Sequence, residues 1–182
     1  MSGNAIDRFE FRFQAYIYRS IRLCLQDREG VAASILLCCA IDLLAKLCSG
    51  DPNQGFSKRK YVAFLRRYFP RSYNPEEFYE FVRCGLVHNF NMENRYTILC
   101  NEDEWAKAAH LRRDPKKNTI VINPFVLFAD VHSAFKEYLH DVRHNMEVQK
   151  AFFAVHRQFP LQRQQTSWRK MKHFKTQSAT DK

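Results

Sequence analysis

An arginine and a histidine stand five positions apart near the middle of the chain, at Arg83 and His88. Histidine changes charge near neutral pH and moves protons, whereas arginine stays charged and binds phosphate oxygens through two N–H groups. Together they suit cleavage of RNA without a metal: the imidazole deprotonates a 2′-hydroxyl, and the guanidinium stabilises charge on the phosphorane. On spacing alone, the alternative is a histidine that only hydrogen-bonds a carbonyl at a helix end.

Residues 74–90 are predicted to form the helix that positions this pair. Asn74 suits the N-cap, a proline follows it, and apolar residues then recur at steps of three and four. In an α-helix, at about 100° per residue, Arg83 and His88 lie roughly 140° apart and do not share a face. Cys84, four residues before His88, does share its face and is expected to help position the imidazole.

The almost wholly apolar stretch over residues 31–48 is predicted to be the buried central helix of a bundle. Its length approaches the roughly 20 residues of a membrane span. Asp42 and Lys46 argue against a span, because charge inside a bilayer costs a few kcal/mol. A buried carboxylate needs a partner. Asp42 is expected either to contact Arg83 or His88, or to orient the site across a dimer interface; the alternative is a salt bridge to Lys46, one turn further along.

The sequence Arg83-Cys84-Gly85-Leu86-Val87-His88 resembles the R-x(4–6)-H signature of the HEPN superfamily, in its Arg-x-Gly-Leu-x-His form. HEPN domains are small helical bundles, and many are metal-independent ribonucleases of bacterial and archaeal defence and toxin systems. The likeness extends upstream to residues 40–47, which resemble the core helix that carries an acidic residue, and downstream to residues 110–111 and 120–123. The resemblance covers approximately residues 31–139.

The resemblance implies roles for particular residues of this chain. Arg83 would bind and stabilise the scissile phosphate, and His88 would act as general base or acid. The products would carry a 2′,3′-cyclic phosphate and a 5′-hydroxyl, and no metal or other cofactor would be needed. HEPN sites form where two motifs meet, and this chain has one, so a homodimer with a composite site is expected. Asp42, Cys84 and Asn89 are the expected supporting residues.

An alternative within the same family is a non-catalytic module that binds nucleic acid or a partner protein through the motif face. Many catalytic members carry Asn, Asp or His directly after the arginine, where this chain has Cys84, a weak hydrogen-bond partner. An antitoxin or another regulatory protein is a further partner that either reading allows. A third hypothesis is a helical interaction protein with no nucleic-acid role.

The chain is strongly basic, with a net charge of +10 and a pI of about 9.5, which favours an anionic partner such as RNA. The densest basic patch before the motif is predicted on a short helix capped by Ser57. This patch either guides a phosphate backbone or is an ordinary solvated surface. Its candidate nucleic-acid-binding residues are Lys58, Arg59, Lys60, Arg66 and Arg67.

No metal site and no membrane association are predicted. The six cysteines include no Cys-x-x-Cys pair, and His140 and His144 have no third ligand at a sensible spacing. Free thiols in apolar helical surroundings are typical of a reducing compartment. The N-terminus has no pattern of a secretory signal, so a cytoplasmic location is expected.

These patterns predict a mainly α fold: a HEPN-like helical bundle with a small antiparallel β insert. The chain of 182 residues is long enough for one domain with its own core. The helical domain is expected over residues 1–159, with the insert at about 96–123. Residues 96–100 and 119–123 are predicted strands, residues 114–118 a turn, and residues 109–112 either a third strand or the continuation of a helical turn, so the insert is expected to be a hairpin or a three-stranded sheet. Residues 160–182 are expected to form a basic C-terminal tail.

Overall fold

The structure, a computed structural model, describes residues 2–53, 57–158 and 161, with side chains from residue 5 onward. Helices dominate this part of the chain and one two-stranded sheet accompanies them, so the prediction of a mainly α fold is confirmed. The predicted basic tail lies outside the described residues, apart from Leu161. The division into one domain over residues 1–159 and a tail stays a prediction.

The first helix, α1, is α-helical over Ser2–Arg12 and Arg19–Gln26 and π-helical over Phe13–Tyr18 between them. Helix α4 begins with an α-helical turn, Pro75–Glu77, and continues as a π-helix over Phe78–Asn89. The other helices are α2 (Gly30–Ser49), α3 (Lys58–Tyr68), α5 (Glu104–Ala108), α6 (Pro124–His144) and α7 (Met146–His156).

Helix α2 is the centre of the bundle and packs against α1, α3, α4, α6 and α7. By length and composition alone, α2 is the one helix among the described residues that could cross a membrane. However, 56% of its most apolar 18-residue stretch is buried inside the protein. The core of the bundle therefore accounts for its composition, and the charged Asp42 lies within that core at 5% exposure.

Aromatic side chains fill the core on one side of α2. Phe13 stacks on Phe135 with their ring centroids 4.3 Å apart, and Phe9 meets Phe152 edge to face at 5.3 Å. All four rings are almost fully buried. Burying one such side chain stabilises a fold by about 1.5–3 kcal/mol, so these contacts fix α1, α6 and α7 around the central helix.

The β insert differs from its prediction in strand direction. Strand β1 (Tyr96–Ile98) pairs with β2 (Ile120–Ile122) in parallel, in the register Tyr96–Ile120 and Ile98–Ile122, so the predicted antiparallel pairing is wrong. Parallel strands need a crossover, and helix α5 lies in the connection between them. The predicted turn does form after Arg113, but it produces only a single antiparallel bridge, Arg113–Ile120.

A buried hydrogen-bond network around His110 ties the insert to the bundle. The backbone N–H of Asn123 donates to His110 Nδ1 (2.9 Å), and His110 Nε2 lies 2.8 Å from the Tyr73 hydroxyl, which donates to Asp130 (2.6 Å). Because Nδ1 must accept, the imidazole is neutral and its proton is on Nε2. The Asp130 carboxylate lies 3.9 Å from Nε2 and would favour a positively charged ring. However, Nδ1 accepts the Asn123 N–H and so cannot carry the second proton. Burial lowers the pKa of His110 to about 4.

This network predicts a loss of stability in acid. The unfolded chain takes up the histidine proton near pH 6.5, whereas folded His110 does so only near pH 4. Between these values the unfolded state binds more protons, so the free energy of unfolding should fall as the pH drops, by up to about 3 kcal/mol. Urea unfolding of the wild type and His110→Gln at several pH values measures this contribution as a difference.

The difference between the two proteins should narrow from pH 7 towards pH 4. Subtracting the two curves separates the contribution of His110 from that of Asp130. Burial raises the pKa of Asp130, so Asp130 by itself would make the protein more stable as the pH falls. The exposed His144 offers a matched control, His144→Gln. Parallel curves for wild type and His110→Gln across this range would contradict the assigned neutral imidazole.

Candidate functional site

The helix that carries the Arg-His pair begins as the sequence predicts. The Asn74 side chain accepts a hydrogen bond from the backbone N–H of Glu77, and Pro75 occupies the first turn. From Phe78 onward, however, the helix is π-helical, so each N–H bonds the carbonyl five residues back. Residues five apart are then about one turn apart. The π-helix therefore brings Arg83 and His88 onto neighbouring positions of one face, where an α-helix would separate them.

Arg83 links a buried carboxylate to an exposed imidazole. Its Nε donates to Asp42 Oδ2 on helix α2 (2.9 Å), and its Nη1 donates to His88 Nε2 (2.8 Å). The side chains of Arg83 and Asp42 are 10% and 7% exposed, whereas His88 is exposed. Of the partners considered for Asp42, Arg83 is therefore one that bonds its carboxylate. The three side chains form a continuous chain from the core to the surface.

The charges of the buried pair depend on each other. Burial raises the pKa of Asp42, and the neighbouring Arg83 and His88 partly oppose this. Burial alone would lower the pKa of Arg83, but the Asp42 carboxylate raises it above the ordinary value for arginine. The guanidinium is therefore permanently charged, and Asp42 holds it in one orientation. Removing either partner would leave the other as a buried and uncompensated polar group.

The hydrogen bond from Arg83 sets the state of His88. Arginine can only donate, so His88 Nε2 is the acceptor and the ring proton lies on Nδ1. Arg83 Nη2 has no hydrogen-bond partner among the described residues. This nitrogen therefore keeps hydrogen-bonding capacity that the described residues do not use, on a side chain that is 10% exposed.

The end of α4 is fixed by a close approach of the following loop. Phe90 has a left-handed backbone (φ 50°), and the N–H groups of Phe90 and Asn91 both bond the Gly85 carbonyl. A Cβ built on Gly85 would overlap the carbonyl oxygen of Asn91. A left-handed conformation at a bulky residue is uncommon and marks a constrained segment. Gly85 thus permits the turn that ends the helix directly after His88.

Gly85→Ala is expected to destabilise the protein, although glycine to alanine within a helix normally stabilises by about 1 kcal/mol. The new methyl group must displace the Asn91 carbonyl, and such overpacking typically costs about 1–3 kcal/mol. Chemical denaturation of the variant measures this, and a more stable variant would contradict the described loop. Because the loop follows His88 directly, any activity of the site should also decrease.

Cys84 contacts the guanidinium that binds His88, and its predicted role in positioning the imidazole stays a prediction. Its Sγ lies 3.8 Å from Arg83 Nη1, and no hydrogen bond between Cys84 and His88 is found in the described part of the chain. Tyr79 was not predicted to belong to the site, yet its ring lies 5.5 Å from the Arg83 guanidinium. Burial and the neighbouring Cys84 thiol raise the pKa of Tyr79. Tyr79 lies four residues before Arg83, and this helical spacing is the feature of the sequence that could have identified it as a neighbour of the arginine.

Asn89 and Phe90 complete the exposed rim beside His88. Asn89 is exposed, and its side chain forms no hydrogen bond with any residue that the structure describes. Phe90 is 75% exposed despite its constrained backbone. An amide and an aromatic ring next to an exposed histidine present hydrogen-bonding and stacking groups to a ligand.

The predicted basic patch on α3 is largely neutralised by ion pairs. Lys58 bonds Glu80 (3.0 Å), Lys60 lies 3.8 Å from Asp51, and Arg66 bonds Glu76. Arg67 bonds Asp141 (2.6 Å), whereas the exposed Arg59 forms no ion pair within the described residues. Three of these acids lie on α4 and α6, so the patch helps to hold α3 against its neighbours. Its role in nucleic-acid binding stays a prediction.

The described residues contain no group of three or more His, Cys, Asp or Glu side chains that could hold a metal ion. His140 and His144 stack at 4.2 Å, and His144 Nδ1 lies 2.8 Å from the His140 carbonyl, which orders the pair within α6. Comparisons with protein-family models, curated proteins and solved structures gave no match.

Proposed function

We propose that this protein is a HEPN-type endoribonuclease that cleaves RNA without a metal, with Arg83 and His88 as its catalytic residues. The observation that supports this most is the chain Asp42–Arg83–His88, in which a buried carboxylate orients a guanidinium against an exposed imidazole. An arginine that only neutralised the buried Asp42 would not need an exposed histidine as a further hydrogen-bond partner. A ribonuclease needs both a fixed cation and a proton acceptor at the surface.

The reaction begins when a phosphate replaces His88 as the partner of Arg83. Nη1 and the unpaired Nη2 bind its non-bridging oxygens, which frees the His88 Nε2 lone pair. Nε2 then takes the proton of the 2′-hydroxyl, the O2′–P bond forms and the P–O5′ bond breaks. The leaving 5′-oxygen takes a proton from a second imidazole or from water, giving a 2′,3′-cyclic phosphate and a 5′-hydroxyl. Asp42 keeps the guanidinium in place throughout.

A homodimer would supply that second imidazole from the other copy of His88. An apolar groove of about 390 Å³ between α1 and α2 supports such an interface, because it exposes apolar surface close to the site. The groove is lined by Tyr16, Ile17, Ser20, Leu36, Cys39, Ala40 and Leu161. Cys39 is exposed and lies one helical turn before Asp42.

The biological setting follows from the same proposal. A metal-independent ribonuclease of this type would act in the cytoplasm, in a prokaryotic defence or toxin system. An antitoxin or another regulatory protein would inhibit the enzyme by binding over the exposed rim of His88, Asn89 and Phe90. The free thiols of the described residues are compatible with a reducing compartment.

The second candidate is a non-catalytic HEPN module that binds nucleic acid or a protein. Two observations favour it: Cys84 follows the arginine, and Arg83 occupies the Nε2 lone pair that a base must use. In this case the site would bind phosphate through Arg83 without breaking a bond.

Labelled RNA incubated with the purified chain in EDTA separates the two candidates. The ribonuclease should give fragments ending in a 2′,3′-cyclic phosphate, and the non-catalytic module should give salt-sensitive binding without fragments. Light scattering on the same sample should report a dimer. Cleavage that requires a divalent metal would contradict the proposal.

A further inference from the structure

The β insert carries an exposed groove of about 340 Å³ that the candidate site does not include. Its walls are mostly apolar, and Trp105, Ala109, Pro115 and Val121 are among the residues that line it. Trp105 is 62% exposed, which is unusual for so large an aromatic side chain. Its indole Nε1 donates to Asp103 (3.2 Å), so the ring is held in place. The volume lies in the range of ligand sites in proteins, about 300–1,000 Å³.

Cations surround this groove. Arg112 and Arg113 line it, and Lys116 and Lys117 lie in the adjoining turn; all four are exposed. None of them forms a salt bridge with the residues described by the structure, and Arg113 bonds only the oxygens of Asn118.

The acids near the groove are already engaged. The Asp114 carboxylate accepts the backbone N–H groups of Lys116 and Lys117, which lower its pKa, and Glu104 pairs with Lys107. The four cations at the groove form no salt bridge within the described residues, whereas four of the five cations on α3 do. An apolar, aromatic cleft with a cationic rim is complementary to a base and its flanking phosphates.

We propose that this groove binds single-stranded RNA, with one base stacked on Trp105 and neighbouring phosphates on Arg112, Lys116 and Lys117. This inference rests on the proposed function, because it identifies where the strand to be cleaved is held outside the Arg83–His88 site. Arg113 also lines a polar cavity with Arg95 and Glu77, and Glu77 belongs to the first turn of α4. The groove therefore continues towards the first turn of α4 through a cavity that also contains Glu93, and His88 lies at the opposite end of this helix.

The test uses an eight-nucleotide 2′-O-methyl RNA, which cannot be cleaved by attack of its 2′-oxygen. Trp105→Ala should weaken its binding by about five- to a hundred-fold, since stacking on an aromatic side chain contributes that much per base. Trp105→Phe should restore most of the affinity. Phe11→Ala is the matched control, because Phe11 is 69% exposed on α1, and it should bind like the wild type.

Two further readouts address the stacked base and the cations. With Trp168→Phe as background, Trp105 is the one remaining tryptophan of the sequence, and its fluorescence should be quenched on saturation. Replacing both Lys116 and Lys117 by alanine should reduce the slope of log K against log salt by about 1.4, at about 0.7 per phosphate contact. Unchanged affinity in Trp105→Ala, or unchanged fluorescence at saturation, would overturn the inference.

The two proposals fail separately. Binding that depends on Trp105 without any cleavage of ordinary RNA supports the groove and overturns the ribonuclease. Cleavage that depends on His88 but not on Trp105, together with unchanged octamer binding in Trp105→Ala, retains the ribonuclease and overturns the groove.

Discussion

His88→Ala should lower the rate of RNA cleavage by about 10²–10⁴-fold, which is the usual contribution of a positioned general acid or base. The same change should leave the free energy of unfolding within about 0.5 kcal/mol of the wild-type value, because His88 is exposed and, among the described residues, its side chain bonds only Arg83. A rate assay in EDTA and a urea titration of the same preparations measure the two effects.

The matched control for this prediction is His144→Ala. His144 is also an exposed histidine in the last turn of a helix, and it bonds a backbone carbonyl rather than a charged side chain. The control should cleave RNA at the wild-type rate. If His88→Ala and His144→Ala cleave equally well, His88 has no catalytic role.

Arg83→Met should destabilise the protein by about 3–5 kcal/mol, because it leaves the Asp42 carboxylate buried without its cation. The loss of stability should shrink as the pH falls, since a protonated Asp42 no longer requires a cation. The contrast is Lys58→Met, which breaks an ion pair whose side chains are 50% and 58% exposed. An exposed pair of this kind contributes at most about 1 kcal/mol.

The double variant Asp42→Leu with Arg83→Met separates folding from catalysis. Replacing a whole buried ion pair by apolar side chains is often neutral for stability, so the double variant should recover most of what Arg83→Met loses. It should still fail to cleave RNA, because the phosphate has lost its guanidinium. A double variant with wild-type activity would remove the pair from the mechanism, whereas an Arg83→Met protein as stable as the wild type would contradict the buried pairing.

Local signals in the sequence were sufficient for the starts of α3 and α4 and for the buried carboxylate. Ser57 and Asn74 each accept a backbone N–H group as N-caps, as predicted, and Asn123 does the same at the start of α6. The apolar run that contains Asp42 identified the central helix and the need for a buried partner. These features depend on neighbours a few residues away or on composition, which a single sequence contains.

Other features depend on backbone geometry or on distant partners. The angle between Arg83 and His88 was wrong because the prediction assumed 100° per residue, which a π-helix does not follow. The turn near Asp114 suggested an antiparallel hairpin. The strands that pair lie further apart in the sequence and are parallel, because the chain crosses over between them. The pairing of Lys58 with Glu80 and of Arg67 with Asp141 joins residues 22 and 74 positions apart, which charge patterning cannot reveal.

In the proposed reaction, the 2′-hydroxyl next to the phosphodiester breaks it, after His88 has activated this hydroxyl and while Arg83 binds the phosphate. The most direct measurement compares, in EDTA, an RNA cleaved at a mapped position with the same RNA carrying one 2′-deoxy sugar on the 5′ side of that bond. Cleavage at this bond should disappear in the modified strand and continue at other sites. Undiminished cleavage at the 2′-deoxy position would contradict the mechanism, because no nucleophile from the sugar would be present.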